Sequence, residues 1–153
     1  MKIERATVGD ALEISKLVSK LTESFIAPTC SSPGKELLLE SMSEQSIQKY
    51  INSGFEYFLI RIDSKIVALI AMKEMSHLYH LFVDESYQGQ GLARTLWSFA
   101  KNRAVAKYSI TKFTVNSSVS SRSVYEKFGF VAMQNERDRN GVVDVPMELL
   151  LNA

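Results

Sequence analysis

The sequence is poor in the features that staple small secreted or metal-bound domains. It has one cysteine, Cys30, in 153 residues. No internal disulfide can form, and a thiolate-rich zinc site is excluded. It has only three prolines and seven glycines. No linker, repeat or low-complexity tract is visible, so one domain is expected over residues 1–153. The longest apolar run covers residues 66–72, far short of the ~20 residues that span a bilayer. Neither charge sign dominates: 18 Lys and Arg stand against 17 Asp and Glu, a net of +1. That balance argues against a protein that coats nucleic acid or an anionic membrane. The first ten residues alternate charge and apolar side chains without a signal-peptide core, so a cytoplasmic location is expected.

What is present is ordinary globular composition, 46% apolar and 23% charged. A chain of this size buries roughly 70% of its unfolded surface, enough for a core without disulfide or metal. The charge is unevenly split. Residues 1–93 hold 9 basic and 12 acidic side chains, net −3, and residues 94–153 hold 9 and 5, net +4. Either this is chance, or one part of the fold faces an anion and another a cation.

Residues 2–6 alternate and read as a strand. Thr7-x-x-Asp10 is a variant capping box, and Leu12, Ile14, Leu17, Val18 and Leu21 give helical spacing over 8–21. Pro28, Pro33 and Gly34 mark 22–34 as loop. A short helix is expected over 36–41 and another after the capping box Ser41-x-x-Glu44, stopping near Gly54. Residues 55–62 and 65–74 read as a hairpin around Asp63-Ser64, and 76–83 as a third strand. Helical spacing returns over 90–107, followed by a strand over 111–116 and a helix over 119–128 ended by Gly129. Asn140-Gly141 signals a last hairpin between 130–134 and 142–151, with Pro146 at an edge or bulge. Hairpins mixed with helical crossovers imply an α/β domain with a mixed, largely antiparallel sheet.

The stretch from Ser76 to Ala93 is the most informative. A strand runs into a loop with Gly89 and Gly91, and the loop opens an amphipathic helix. Such a loop aims backbone N–H groups at an anion, at the positive end of the helix dipole. Gly-Lys-Ser/Thr of a P-loop is missing, and Arg94 stands where a dinucleotide fingerprint needs its third small residue.

Gln88-x-x-Gly91-x-Ala93 resembles the Gln/Arg-x-x-Gly-x-Gly/Ala signature of the GNAT superfamily of N-acetyltransferases. Phe113-Thr114-Val115-Asn116, with Tyr125-Glu126-Lys127-Phe128-Gly129-Phe130 after it, looks like that family's second block. Asn116 and Tyr125 lie nine positions apart, as in one common subgroup. The likeness runs from about residue 59 to the end, and Ser120–Ser123 depart from the small or apolar residues more usual there. It implies an α/β fold with a mixed, mostly antiparallel central sheet of about 6–7 strands, splayed at its centre and flanked by about 4 helices. It also implies acetyl-CoA as co-substrate and no metal. Leu81, Phe82 and Val83 would meet the pantetheine arm. Gln88, Gly89, Gln90, Gly91, Leu92 and Ala93 would wrap the pyrophosphate, with Asn116 and Tyr125 also at the cofactor. Arg94, Arg122 and Lys127 are candidates for its phosphates, or plain surface cations.

Acetyl transfer to an amine sets three demands: the amine loses a proton, the oxyanion needs a donor, and the leaving thiolate needs a proton. Freeing the lone pair of a lysine-like amine at pH 7 costs about 4–5 kcal/mol. Val83 N–H is a candidate oxyanion donor. By resemblance, Tyr125 would protonate the sulfur; alternatively it is a core tyrosine. His77 stands where the family often has a glutamate and some arylalkylamine acetyltransferases a histidine, so it is the first candidate base. Tyr79, His80 or an ordered water remain open. Strand alternation puts His77 and Tyr79 on one face and His80 on the other unless a bulge intervenes. Glu23, Phe25 and Tyr79 are candidates for the acceptor pocket, the first two because a carboxylate and an aromatic face suit a cationic amine. Cys30 has no visible partner base for nucleophilic work. The expected activity is direct acetyl transfer to a primary amine of a small molecule or protein. The alternative is a non-catalytic acetyl-CoA sensor or interaction module. Acetyl-CoA and an amine are the expected partners, without nucleic acid or membrane, in a monomer or homodimer.

Overall fold

Apolar alternation and two tight turns build the first half of the sheet. In the computed structural model, which describes residues 2–151, strand β1 (Ile3–Arg5) runs antiparallel to β2 (Glu56–Ile62). Asp63 and Ser64, both at positive φ, turn β2 into β3 (Lys65–Lys73), the backbone that a twisted two-residue hairpin demands. The next strand, β4 (His77–Val83), is antiparallel to β3. Arg61 ties β2 to β1 and to the chain that follows it: its guanidinium meets the carboxylates of Glu4 in β1 and of Asp10 and Glu13 beyond it. Glu13 in turn accepts from the Ile66 N–H at 2.8 Å.

The second half is one long antiparallel pair. Strand β5 (Lys112–Ser118) pairs along its length with β8 (Val142–Leu150). The short β6 (Val131–Ala132) and β7 (Arg137–Arg139) lie on the other side of β8. Among the described residues the halves of the sheet pair only where β4 meets β5 in parallel, through His77↔Thr114 and Leu78↔Val115. Past Leu78 and Val115 the two strands part. The sheet thus has eight strands in the order β1-β2-β3-β4-β5-β8-β6, with β7 also on β8.

Helices cover both faces, which is why β3 is buried from Ile66 to Met72. Against α4 (Leu92–Tyr108) and α5 (Arg122–Lys127) pack Phe58, Ile60, Ile70, Leu78 and Phe113. Against α1 (Ala11–Phe25) and α3 (Glu44–Asn52) pack Tyr57, Leu59 and Leu69. Tyr57 to Ile60 alternate between the two cores, as strand geometry requires.

Three expectations are corrected. Residues 22–34 are mostly helical: α1 runs on to Phe25, a short turn covers Ala27–Thr29, and α2 (Ser32–Glu40) begins before Gly34. Pro33 sits in the first turn of α2, where no N–H is needed, and Ser31 caps it by accepting from the Gly34 N–H at 3.1 Å. The cap of α3 is Ser43, not Ser41, with Ser46 N–H donating to its hydroxyl at 3.1 Å. Pro146 lies in a strand paired on both sides. Its carbonyl accepts from Met133 N–H at 2.9 Å, so its nitrogen faces the gap between β6 and β7 and no ladder bond is lost.

Candidate active site

An extra residue in β4 sets the site. Pairing with β3 slips between Ala71↔His80 and Met72↔Leu78, so Tyr79 is a bulge. Leu78 joins the core under α4, whereas Tyr79 packs on the α1 side, where His80 also meets Tyr57. The bulge therefore overturns simple alternation: His80 shares a face with Tyr79. Leu81 and Val83 then return to the α4 side and Phe82 to the α1 side.

Where β4 and β5 part, a cavity of about 740 Å³ opens, lined from both faces of the sheet. On the α4 side it meets the glycine loop. Gly89 and Gly91 both have φ 80°, and a Cβ on either would touch nothing within 4 Å. Backbone conformation, not crowding, requires glycine there, and the space above the loop is open. The first amides of α4, those of Leu92, Ala93 and Arg94, have no intrahelical acceptors and mark the positive end of the helix dipole. Gln88 anchors the loop by donating from Nε2 to the Val83 carbonyl at 3.0 Å. A pyrophosphate suits this cradle, and the thioester arm of acetyl-CoA suits the gap between the strands.

Tyr125 enters from α5 against Phe128 and Phe130. Its side chain is nearly buried, and burial holds the phenol above its ordinary pKa. The hydroxyl has no partner among the described residues, yet no sealed side-chain oxygen or nitrogen is left unpaired. It therefore opens on the cavity that Tyr125 lines.

Three other polar rings reach the cavity from β4. His77 Nδ1 is hydrogen-bonded to the Thr114 hydroxyl at 2.7 Å. Burial, then Lys73, lower its pKa; Glu74 opposes this and Arg139 adds to it. Its ring is neutral at pH 7. His80 is buried and titrates at about 3 because of desolvation. Its Nδ1 lies 3.0 Å from the Tyr57 hydroxyl. That hydroxyl has no other acceptor among the described residues, so it donates to Nδ1 and leaves the proton of His80 on Nε2. His80 thus offers a donor, not a base. Tyr79 donates to the Tyr50 hydroxyl at 3.1 Å, and Tyr50 to the Ser41 carbonyl at 2.8 Å. Burial keeps Tyr79 protonated.

The cavity brings together His77, Tyr79, Leu81, Phe82, Val83, Gln88, Gly89, Gly91, Leu92, Ala93, Asn116, Tyr125 and Phe25. It does not include Glu23, which is exposed and 3.9 Å from Lys35, nor the exposed Gln90. Cys30 also lies outside its lining. Asn116 accepts from Arg137 at its side-chain Oδ1, at 3.1 Å. Of the candidate phosphate cations, Lys127 lines the cavity. Arg94 instead stacks over Phe128 at 5.3 Å, and Arg122 pairs with Glu126 at 3.7 Å.

Sequence reasoning missed how α2 is seated. The Ser31 N–H donates to the Gly141 carbonyl at 3.0 Å, and a Cβ on Gly34 would collide with that carbonyl. The start of α2 thus rests on the β7–β8 turn, backbone on backbone. Gly34→Ala is expected to lower the unfolding free energy by about 1–3 kcal/mol through overpacking. Urea denaturation measures it, and an unchanged midpoint would show that the contact is loose.

Among the described residues, no group of His, Cys, Asp and Glu is placed to hold a metal, and no helix is long and apolar enough to cross a membrane. No curated protein matches the chain in sequence. Solved structures do match in fold. A GCN5-related N-acetyltransferase from Rhodopseudomonas palustris superposes with TM-score 0.84 at 21% identity, over 98% of this chain and 95% of that one. The PaiA N-acetyltransferase from Thermoplasma acidophilum, in complex with coenzyme A, gives 0.76 at 19%, over 98% and 99%. A mutant of spermidine N-acetyltransferase SpeG from Vibrio cholerae gives 0.66 at 17%, over 98% and 95%. The model of the acetyltransferase (GNAT) domain matches residues 26–151, the stretch that holds the parted strands and the glycine loop, and the chain belongs to that family.

Proposed function

We propose that this protein transfers an acetyl group from acetyl-CoA directly to a primary amine. The observation that carries the reading is the unpartnered Tyr125 hydroxyl, which opens on the same cavity as the glycine loop. Acetyl-CoA supplies the acyl group as a thioester. Loop amides at Gly89–Ala93 and the cation of Lys127 hold its phosphates, and Leu81, Phe82 and Val83 line its arm. His77, neutral and facing the cavity, takes the proton of the amine. As the new C–N bond forms and the C–S bond breaks, Tyr125 gives its proton to the leaving sulfur. A module that only senses acetyl-CoA has no use for a free phenol and a neutral imidazole in one cleft. The coenzyme A held by the PaiA structure supports the choice of co-substrate.

Thiol release from acetyl-CoA across a library of amines tests this. Turnover on at least one amine is expected, whereas binding of acetyl-CoA with no turnover on any of them would leave the sensor. The pH profile tests the base. Because burial lowers the pKa of His77, kcat/KM should lose activity only below about pH 6.5, and His77→Ala should remove that acidic limb. An identical limb in the variant would assign the base elsewhere.

A further inference from the structure

The acceptor side of the cavity has a charge pattern that the sequence misrepresents. The acid-rich first part of the chain does not deliver free carboxylates to it. Among the described residues, the only carboxylate in the lining is Asp144, which is buried with both oxygens taken. Arg137 Nε donates to one oxygen and an Arg139 amino group to the other, each at 2.6 Å. Arg137 is further held by Asn116. Two guanidiniums thus face one carboxylate, and a positive charge is left over.

That excess is available at Arg139. Its side chain is half-exposed, lines the cavity, and has an Nε and a second amino group without partners among the described residues. Its field reaches the reaction zone, since it helps lower the pKa of His77. The same cavity is lined from α1 to the turn after α2 by Leu21, Phe25, Ile26, Leu38 and Met42, with Ser41 among them, and from β8 by Val142. A polyamine entering here meets no anion for its second ammonium and one cation that repels it. A carboxylate on an apolar body meets a guanidinium edge and a matching wall. The cofactor phosphates do not claim Arg139, because their cradle is the glycine loop on the α4 side.

Resting on the transferase reading above, we infer that the acceptor is an amine carrying its own carboxylate on an apolar body, an amino-acid-like compound held by Arg139, and that polyamines are rejected.

The test compares kcat/KM of the full-length protein, with acetyl-CoA, for L-phenylalanine, L-phenylalaninamide, phenethylamine and spermidine. The amine of the amide is less basic, so intrinsic reactivity at neutral pH favours it over the acid. The expected result is nonetheless a preference of about tenfold or more for the acid, the size of one charge-assisted bond, with spermidine poorest. In Arg139→Gln the ratio of acid to amide should fall towards one. Should that variant fail to fold, the wild-type ratio still decides. Equal or better turnover of amide, phenethylamine or spermidine overturns the acceptor class alone. Binding of acetyl-CoA with no thiol released by any of the four, or by a wider amine library, overturns the transferase reading and this inference with it.

Discussion

Tyr125→Phe is expected to lower kcat by about 100-fold or more, within the range for removing a positioned general acid, while acetyl-CoA affinity changes less than about threefold. The substitution removes one oxygen. The ring keeps its edge contacts with Phe128 and Phe130, whose centroids lie 6.3 and 5.8 Å away. The hydroxyl makes no hydrogen bond among the described residues, so its loss breaks nothing in the resting fold, and stability should hold or rise slightly. On the proposed mechanism, what is lost is a proton for the sulfur. A thiol titrates near ~8.5 and a phenol near ~10, and burial moves the Tyr125 phenol further up, so the donor is protonated at every working pH. Rapid-quench single turnovers measure the chemical step, and calorimetry measures acetyl-CoA binding. An unchanged chemical rate would remove Tyr125 from the reaction and leave it a core residue. A rate loss matched by a loss of affinity would make it a binding group.

The elements that were legible in the sequence are those whose causes are local. Asp63-Ser64 and Asn140-Gly141 need left-handed backbone, and both turns lie where their residue types place them. Gly91 opens α4 in the left-handed region, so the glycine loop could be found from its own residues. Features that depend on a distant partner were not legible. Tyr79 is a bulge only because β3 pairs as it does, and that slip moved His80 onto the α1 side of the sheet. Gly34 is required by the carbonyl of Gly141, which no local pattern announces. Pro33 signals a loop in sequence, yet a proline that would break a helix interior is welcome in a first turn. A loop over residues 22–34 also hides the helical phase of Glu23. In α1 the buried stripe runs through Ile14, Val18, Leu21 and Thr22, and Glu23 falls on the solvent face.

The charge split belongs to the same lesson. Of the acids in the first part of the chain, Glu4, Asp10 and Glu13 converge on Arg61, and the buried Glu56 pairs with Arg103 and Arg5. Those carboxylates bind elements together far along the chain and do not line the cavity. Net charge over a stretch of sequence says how many ions there are, not which of them remain unpaired at a site.

Acid should destabilise the protein through His80 well above the range in which carboxylates titrate. An unfolded histidine takes up its proton near ~6.5, whereas His80 in the fold does so at about 3. The groups packed around it offer no compensating anion: the Tyr57 hydroxyl on Nδ1 and the rings of Tyr79 and Phe82. Its contribution is constant above pH 6.5. Between the two values the unfolded chain holds a proton that the folded chain does not, so stability falls as pH falls, by about 1.4 kcal/mol per unit. From pH 7 to pH 5 this residue alone should remove about 2 kcal/mol. His80→Gln lacks the titration. It should start less stable, because Tyr57 loses its acceptor geometry, but its stability should fall less over the same interval by about that amount. Urea midpoints for both proteins at pH 7, 6 and 5 measure the difference, with His77 common to both. Parallel falls in the two proteins would mean that water reaches His80 Nε2 freely enough to keep the ring near its ordinary pKa. Below that pKa Nδ1 would then carry a proton and could no longer accept from the Tyr57 hydroxyl, while Nε2–H would remain a donor.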